Sequence, residues 1–103
     1  MDELDRLIRD AIARRRKLRF RYDGHQRIVE PHDYGRQKGV RKVFCYQTGG
    51  TSTGALPDWR MFFVGKISNA ETTDESFPGS RPVNGRHQKW DQLYASVSRP
   101  IPA

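Results

Sequence analysis

Apolar residues fall at Leu4, Leu7, Ile8, Ala11 and Ile12, the i, i+3, i+4, i+7, i+8 spacing of a helix with one buried face, and predict a helix over about residues 2 to 16. Acidic residues crowd its first turn and arginines its last, as the helix dipole favours. At Leu18 the period changes to two. Leu18, Phe20 and Tyr22 then share one side of a strand, and Lys17, Arg19 and Arg21 share the other. Asp23-Gly24 is a two-residue hairpin signal, because a type I′ turn needs positive φ at both central positions. The return strand is expected over residues 25 to 30, and Pro31, which removes a ladder donor, marks a bend or an edge. Tyr34-Gly35 and Lys38-Gly39 punctuate the next connection, and residues 41 to 48 have the β-branched and aromatic content of a third strand.

Residues 48 to 54, rich in Gly, Ser and Thr, read as a mobile loop closed by Pro57. A fourth strand is expected at 59 to 67, a fifth near 68 to 73, an irregular Pro/Gly stretch from 77 to 85, and a closing element at about 90 to 97. Leu93, Ala95 and Val97 favour a strand for that last piece. One helix followed by consecutive short strands predicts a mainly β domain, a small and strongly bent antiparallel sheet or barrel with the helix covering one end or face. A ligand of so small a barrel sits at its mouth or on an exposed face, since side chains fill the interior. At 103 residues, 1 to 103 is expected to be a single domain, and the eleven aromatic residues are enough to seed its core.

Charge narrows the class of partner. The net charge is +7, and residues 1 to 43 carry 13 Lys/Arg against 7 Asp/Glu, whereas residues 44 to 103 carry 6 against 5. Six of the eight residues from Arg14 to Arg21 are cationic. Arginine outnumbers lysine 14 to 5, which favours planar, bidentate recognition of phosphate or carboxylate. Nucleic acid, nucleotides and acidic proteins are the candidate partners. The run from Arg14 to Lys17 has two readings, a track for a phosphate backbone or a solvated helix end that satisfies the last carbonyls.

Cys45 is the single cysteine, so no internal disulfide forms, and it reads as a buried strand residue. The residues after Met1 lack the apolar core of a signal peptide, and no apolar run approaches the roughly 18 residues of a membrane span. A cytoplasmic protein without membrane attachment is expected. His25, His32, His87 and Cys45 have no metal-ligand spacing, and neither metal nor cofactor is expected. Gly50-Thr51-Ser52-Thr53-Gly54 matches the G-x-S-x-G pattern of a nucleophile elbow formally. That chemistry needs a following helix and a scaffold for an acid and a histidine, whereas Ala55-Leu56-Pro57 follows here, so a small hydrolase centred on Ser52 is the weakest reading.

Three segments line up in order: the Ala-Ile-containing helix leading into Leu18-Arg19-Phe20-Arg21-Tyr22, then Arg27-Ile28-Val29-Glu30-Pro31, then Arg60-Met61-Phe62-Phe63-Val64-Gly65-Lys66-Ile67. Together they resemble a WYL domain, clearly over residues 7 to 67 and weakly over 77 to 103. The Trp-Tyr-Leu signature is absent, its strand reading Arg41-Lys42-Val43-Phe44-Cys45-Tyr46-Gln47, and the short length is similar to that of free-standing family members. The resemblance implies an Sm-like, SH3-like barrel without catalysis. It also implies a ligand-sensing, regulatory module that binds a nucleotide or single-stranded nucleic acid through a basic, aromatic surface.

Arg27 and Arg60 match the family's arginines and are the candidates to grip phosphate; the alternative is a structural ion pair with Glu30 or Asp58. Tyr46 and Trp59, beside loops, are the candidate stacking faces, with Tyr34 a further aromatic beside a loop, whereas Phe20, Tyr22, Phe62 and Val64 are read as core. His32 is placed to hydrogen-bond a ligand, and Arg19, Arg21 and Arg41 complete the candidate basic surface. A reading from another class stays open: a protein-interaction module whose basic face docks an acidic partner or completes a homodimer.

Overall fold

The computed structural model describes residues 2–51, 54–82 and 88–98. Helix α1 spans Glu3–Arg14, and its start is fixed by Asp2, whose carboxylate accepts the Asp5 N–H at 2.8 Å. It ends short of the expected residue 16 because Arg15 turns left-handed (φ 54°) and sends its N–H back to the Ala11 and Ile12 carbonyls. Strand β1, Arg16–Tyr22, therefore begins at the next residue.

Strands β2 (His25–Gln37), β3 (Val40–Gly50), β4 (Asp58–Phe63), β5 (Ser68–Ser76) and β6 (Gln92–Ser96) follow, with one 3-10 turn at Val64–Lys66 between β4 and β5. All pairings are antiparallel, in the order β4-β3-β2-β1-β5, with β6 also on β2. The sheet is not closed, since β4 and β5 are its two edges. Asp23 and Gly24 take φ of 51° and 75°, the expected hairpin geometry, and Lys38-Gly39 repeats it between β2 and β3 with 51° and 77°.

Strand β2 corrects one expectation. It does not stop at Glu30 but runs for 13 residues through Pro31. The missing donor is absorbed at a register shift between Pro31 and Asp33, a bulge where the ladder needs no N–H. On the edge away from β3, residues 25 to 29 pair with β1 and residues 33 to 36 pair with β6. The bulge separates these two neighbours.

Strand β3 likewise continues to Gly50, which had been expected in a loop, because its glycines permit close approach rather than mobility. A Cβ at Gly50, where φ is 84°, would lie 2.0 Å from the Gln26 carbonyl oxygen. Strand β4 ends at Phe63, four residues early, where the chain tightens into the 3-10 turn that buries Val64. Strand β5 runs three residues beyond its expected end.

The core lies between α1 and the sheet. Ile8, Ala11 and Ile12 pack on Leu18, Phe20, Tyr22, Val29, Val43, Cys45 and Phe62, the alternate residues of β1 to β4. Leu4 and Leu7 are only partly buried. Phe20, Tyr22 and Phe62 meet edge to face, with Phe62 5.0 Å and 4.9 Å from the other two rings. Asp5 is buried on the helix's core face, where it accepts the Tyr34 hydroxyl at 2.6 Å and the Arg9 guanidinium at 3.1 Å. Gly35 faces β6 so closely that a Cβ there would stand 2.3 Å from the Gln92 carbonyl oxygen. Gly35→Ala is therefore expected to lose about 1–3 kcal/mol in urea unfolding through forced backbone shifts; an unchanged midpoint would show that β6 gives way freely.

Candidate functional site

Alternation along the strands assigns the candidate side chains to two faces. On β4, Arg60 shares the helix-covered face with Phe62, whereas Trp59, Met61 and Phe63 point the other way. On β3, Cys45 and Gln47 face the helix side, and Phe44 and Tyr46 face away. The sheet thus brings Arg27 near Arg60 and brings His32, Tyr46 and Trp59 together, but separates the two groups. They do not surround one ligand.

Arg27 is only 7% exposed. Its Nε and Nη2 donate to the Tyr22 carbonyl at 3.4 and 3.3 Å, and Nη1 donates to Gln47 Oε1 at 3.2 Å. The guanidinium also lies over the Tyr22 and Phe62 rings, 5.8 and 5.7 Å from their centres. Neither Glu30 nor Asp58 pairs with it; neutral acceptors hold it instead. Burial and then the nearby Arg60 charge push its pKa down. Arg60 sits opposite Cys45 on β3, its guanidinium against Gly54.

On the outer face a recess of about 440 Å³ is lined by Tyr46, Pro57, Asp58, Trp59, Arg81 and Pro82. Trp59 lies flat on the buried Phe44, 4.9 Å between centres and 8° between planes, and meets Tyr46 edge to face at 5.1 Å. Arg81 stacks over Tyr46 with its guanidinium carbon 4.6 Å from the ring centre. The same side chain grips Glu30 by two parallel bonds, Nε to Oε1 at 2.6 Å and Nη2 to Oε2 at 3.0 Å. Glu30 is 1% exposed and Arg81's side chain 42%, so the pair joins a buried carboxylate to a cation at the surface. That carboxylate raises the Arg81 pKa. Arg81 Nη1 has no protein acceptor among the described residues.

His32 forms the back of this cluster, 3% exposed, edge-on to Trp59 at 4.7 Å and stacked on Phe77 at 5.7 Å. Its Nε2 accepts the Arg81 backbone N–H at 3.1 Å, so Nδ1 carries the proton and donates to the Glu30 carbonyl at 2.9 Å. Both nitrogens are used within the protein. Burial lowers the His32 pKa, against smaller opposing effects of Glu30 and Asp33.

Two of the remaining candidates, Arg19 and Arg41, hold the fold. Arg19 pairs with Glu71 on β5, and Arg41 joins the helix cap to the core, donating to Asp2 at 2.8 Å and to the Tyr34 hydroxyl at 3.2 Å. Desolvation, then the bond to Asp5, lifts the Tyr34 pKa to about 12. Arg21 is exposed at the first hairpin, where it donates to the Gly24 carbonyl over a long 3.5 Å. Arg16 donates to the Asp74 carbonyl at 2.7 Å, Lys17 pairs with Glu75 at 3.3 Å, and Arg14 pairs with Asp10 at 3.3 Å, which fits a helix end tied to its own fold. Cys45 is fully buried and its thiol pKa is pushed up by burial. No group of three or more metal-binding side chains occurs among the described residues. Ser52, centre of the G-x-S-x-G match, and His87 lie outside them.

Arg81 was not anticipated, since it sits in the stretch read as irregular. The available signal was Glu30, a carboxylate between the apolar Val29 and Pro31, which once buried needs a cation partner from elsewhere. A second cavity, about 470 Å³, lies where α1 begins and is lined by Leu4, Leu7, Ile67 and Ala70 with Asp2 and Glu3. Its lining holds no lysine or arginine to meet an anion. No protein-family model matches the chain, and no curated protein or solved structure is significantly similar to it.

Because His32 is neutral in the fold and its ordinary value is 6.5, the unfolded chain binds the extra proton. Stability from this residue is full above about pH 6.5 and declines as pH falls towards the lower folded value. Urea midpoints measured between pH 7.5 and 5 are expected to drop in the wild type, with a smaller drop in His32→Gln; equal drops would remove His32 as the source (about the pH range of an unperturbed histidine).

Proposed function

We propose that this chain is a non-enzymatic binding module whose ligand combines a planar ring with phosphate, a nucleotide or single-stranded nucleic acid, taken at the Tyr46–Trp59–Arg81 recess. One observation carries the reading: a half-exposed guanidinium, whose Nη1 has no acceptor among the described residues, stands beside two aromatic side chains in a recess of about 440 Å³, within the size range of small-ligand sites. Arg81 supplies charge-assisted hydrogen bonds to phosphate, and the aromatic walls supply stacking. The net charge of +7 favours the approach of such a ligand.

The same proposal includes a WYL-like identity, a regulatory output and a cytoplasmic location. It rests on the resemblance of the three segments and on the register shift of β2 after Pro31, which favours reading the open sheet as a variant of the Sm-like, SH3-like barrel. No helix among the described residues is long and apolar enough to cross a membrane. A second reading, docking of an acidic protein or a second copy, draws support from the open β4 and β5 edges and from exposed Val40 and Leu93.

Titration of the tryptophan fluorescence with thymidine monophosphate tests the recess. Affinity is expected to weaken with salt and to fall on Tyr46→Leu by the equivalent of one lost stack, about 1–3 kcal/mol, with the far-ultraviolet spectrum unchanged. Arg81→Lys, which keeps the charge but loses the planar fork, is expected to weaken binding as well. Failure of the wild type to bind any nucleotide at low salt would overturn the proposal in favour of the protein-docking reading.

A further inference from the structure

The recess is one end of a longer strip on the outer face. Trp59, Met61 and Phe63 alternate outward along β4, and their cross-strand neighbours are Tyr46, Phe44 and Lys42. From Trp59 to Phe63 is four residues of extended chain, about 13 Å. Because β4 is an edge strand, one long side of the strip is open.

At the far end Phe63 is 38% exposed, unusual for a large aromatic on a small sheet. Two ammonium groups lie against its ring, with Lys42 Nζ 4.9 Å and Lys66 Nζ 5.2 Å from its centre. Lys42 also donates to Gln37 Oε1 at 3.1 Å, a neutral acceptor. Neither lysine is paired with a carboxylate among the described residues. Two cations gathered at one ring give this end of the strip a positive potential that favours an anion beside it. The far end therefore resembles the recess in setting cationic donors beside an aromatic face, and differs in that its two lysines have no carboxylate partner among the described residues, whereas Arg81 is paired with Glu30.

We propose that Phe63, Lys42 and Lys66 form a second subsite, and that the strip from the recess to Phe63 takes one single-stranded nucleic acid of about three nucleotides, with Met61 under the middle one. The inference rests on the recess reading and narrows it from a lone nucleotide to a strand. A mononucleotide is too short to reach both ends, whereas an extended strand places a base near Trp59 and another on Phe63 with phosphates at Arg81 and at the two lysines. Asp58, at the recess end, accepts its neighbour Trp59's N–H at 2.8 Å and lies off the path between Met61 and Phe63.

The test compares thymidine monophosphate with hexathymidylate by fluorescence titration of wild type, Phe63→Ala and the double variant Lys42→Gln/Lys66→Gln. The wild type is expected to bind the hexamer about tenfold more tightly than the monophosphate, and Phe63→Ala to lose about that factor for the hexamer alone. The double variant is expected to flatten the slope of log K against log salt by about 1.4, two single-strand phosphate contacts at about 0.7 each. Phe63 is a surface side chain, and unchanged monophosphate affinity confirms that each variant is folded. If the monophosphate binds while all three proteins hold the hexamer equally and with equal salt slope, the second subsite is overturned and the recess stands. If the wild type binds neither, both fall.

Discussion

The chain turns on the single-residue slip at Pro31. A proline in the middle of a long strand leaves one ladder position without a donor, and the bulge that accommodates it lets β2 change neighbours from β1 to β6 while keeping β3 throughout. Everything on the outer face follows from that slip. It lets Glu30 and His32 serve one cluster although the strand continues beyond them into Tyr34, which returns to the helix-facing core. Without the bulge, strict alternation would carry one of the two packing surfaces to the wrong side.

Burying Glu30 is the energetic demand that organises the recess. A carboxylate removed from water is tolerated only with a well-placed partner, and here the partner comes with its backbone: the Arg81 guanidinium pairs with the carboxylate while its N–H binds His32. The segment bearing Arg81 is thereby fixed at two points a few ångströms apart. Orientation of the guanidinium over Tyr46 is a result of this double attachment. By contrast Arg27, equally arginine and more deeply buried, is held by carbonyl and amide oxygens and aromatic faces, and serves the packing beneath the sheet.

Features set by neighbours in sequence were legible before the structure. The α1 stripe, the Asp23-Gly24 turn and the alternation of β1 all depend on residues within one turn or one hairpin. Pro31 was read as a bend or an edge because its missing donor is local; β3 pairs with β2 on both sides of it, whereas β6, which joins β2 beyond the bulge, lies some sixty residues later (about half the chain away, where local pattern carries no signal). Gly49 and Gly50 were read as flexible because composition does not reveal how closely Ile28 and Gln26 approach. For the site, Tyr46 and Trp59 were singled out as aromatics beside loops and His32 as a hydrogen-bonding group, whereas both His32 nitrogens bond within the protein, and grouping Trp59 with Arg60 ignored the strand's own parity. Arg81 had no local signature, since its reason for being there is Glu30.

The pairing of Glu30 with Arg81 joins residues 51 positions apart, and His32 is 49 positions from its Arg81 donor. Such contacts come after the loop between them has been closed, and each lengthening of that loop adds to the closure entropy only slowly. The recess is accordingly a property of the assembled tertiary structure rather than of any hairpin within it. A chain that has formed only α1 and the β1–β2 hairpin has part of the core but no recess, because Arg81, Tyr46 and Trp59 come from segments outside that unit.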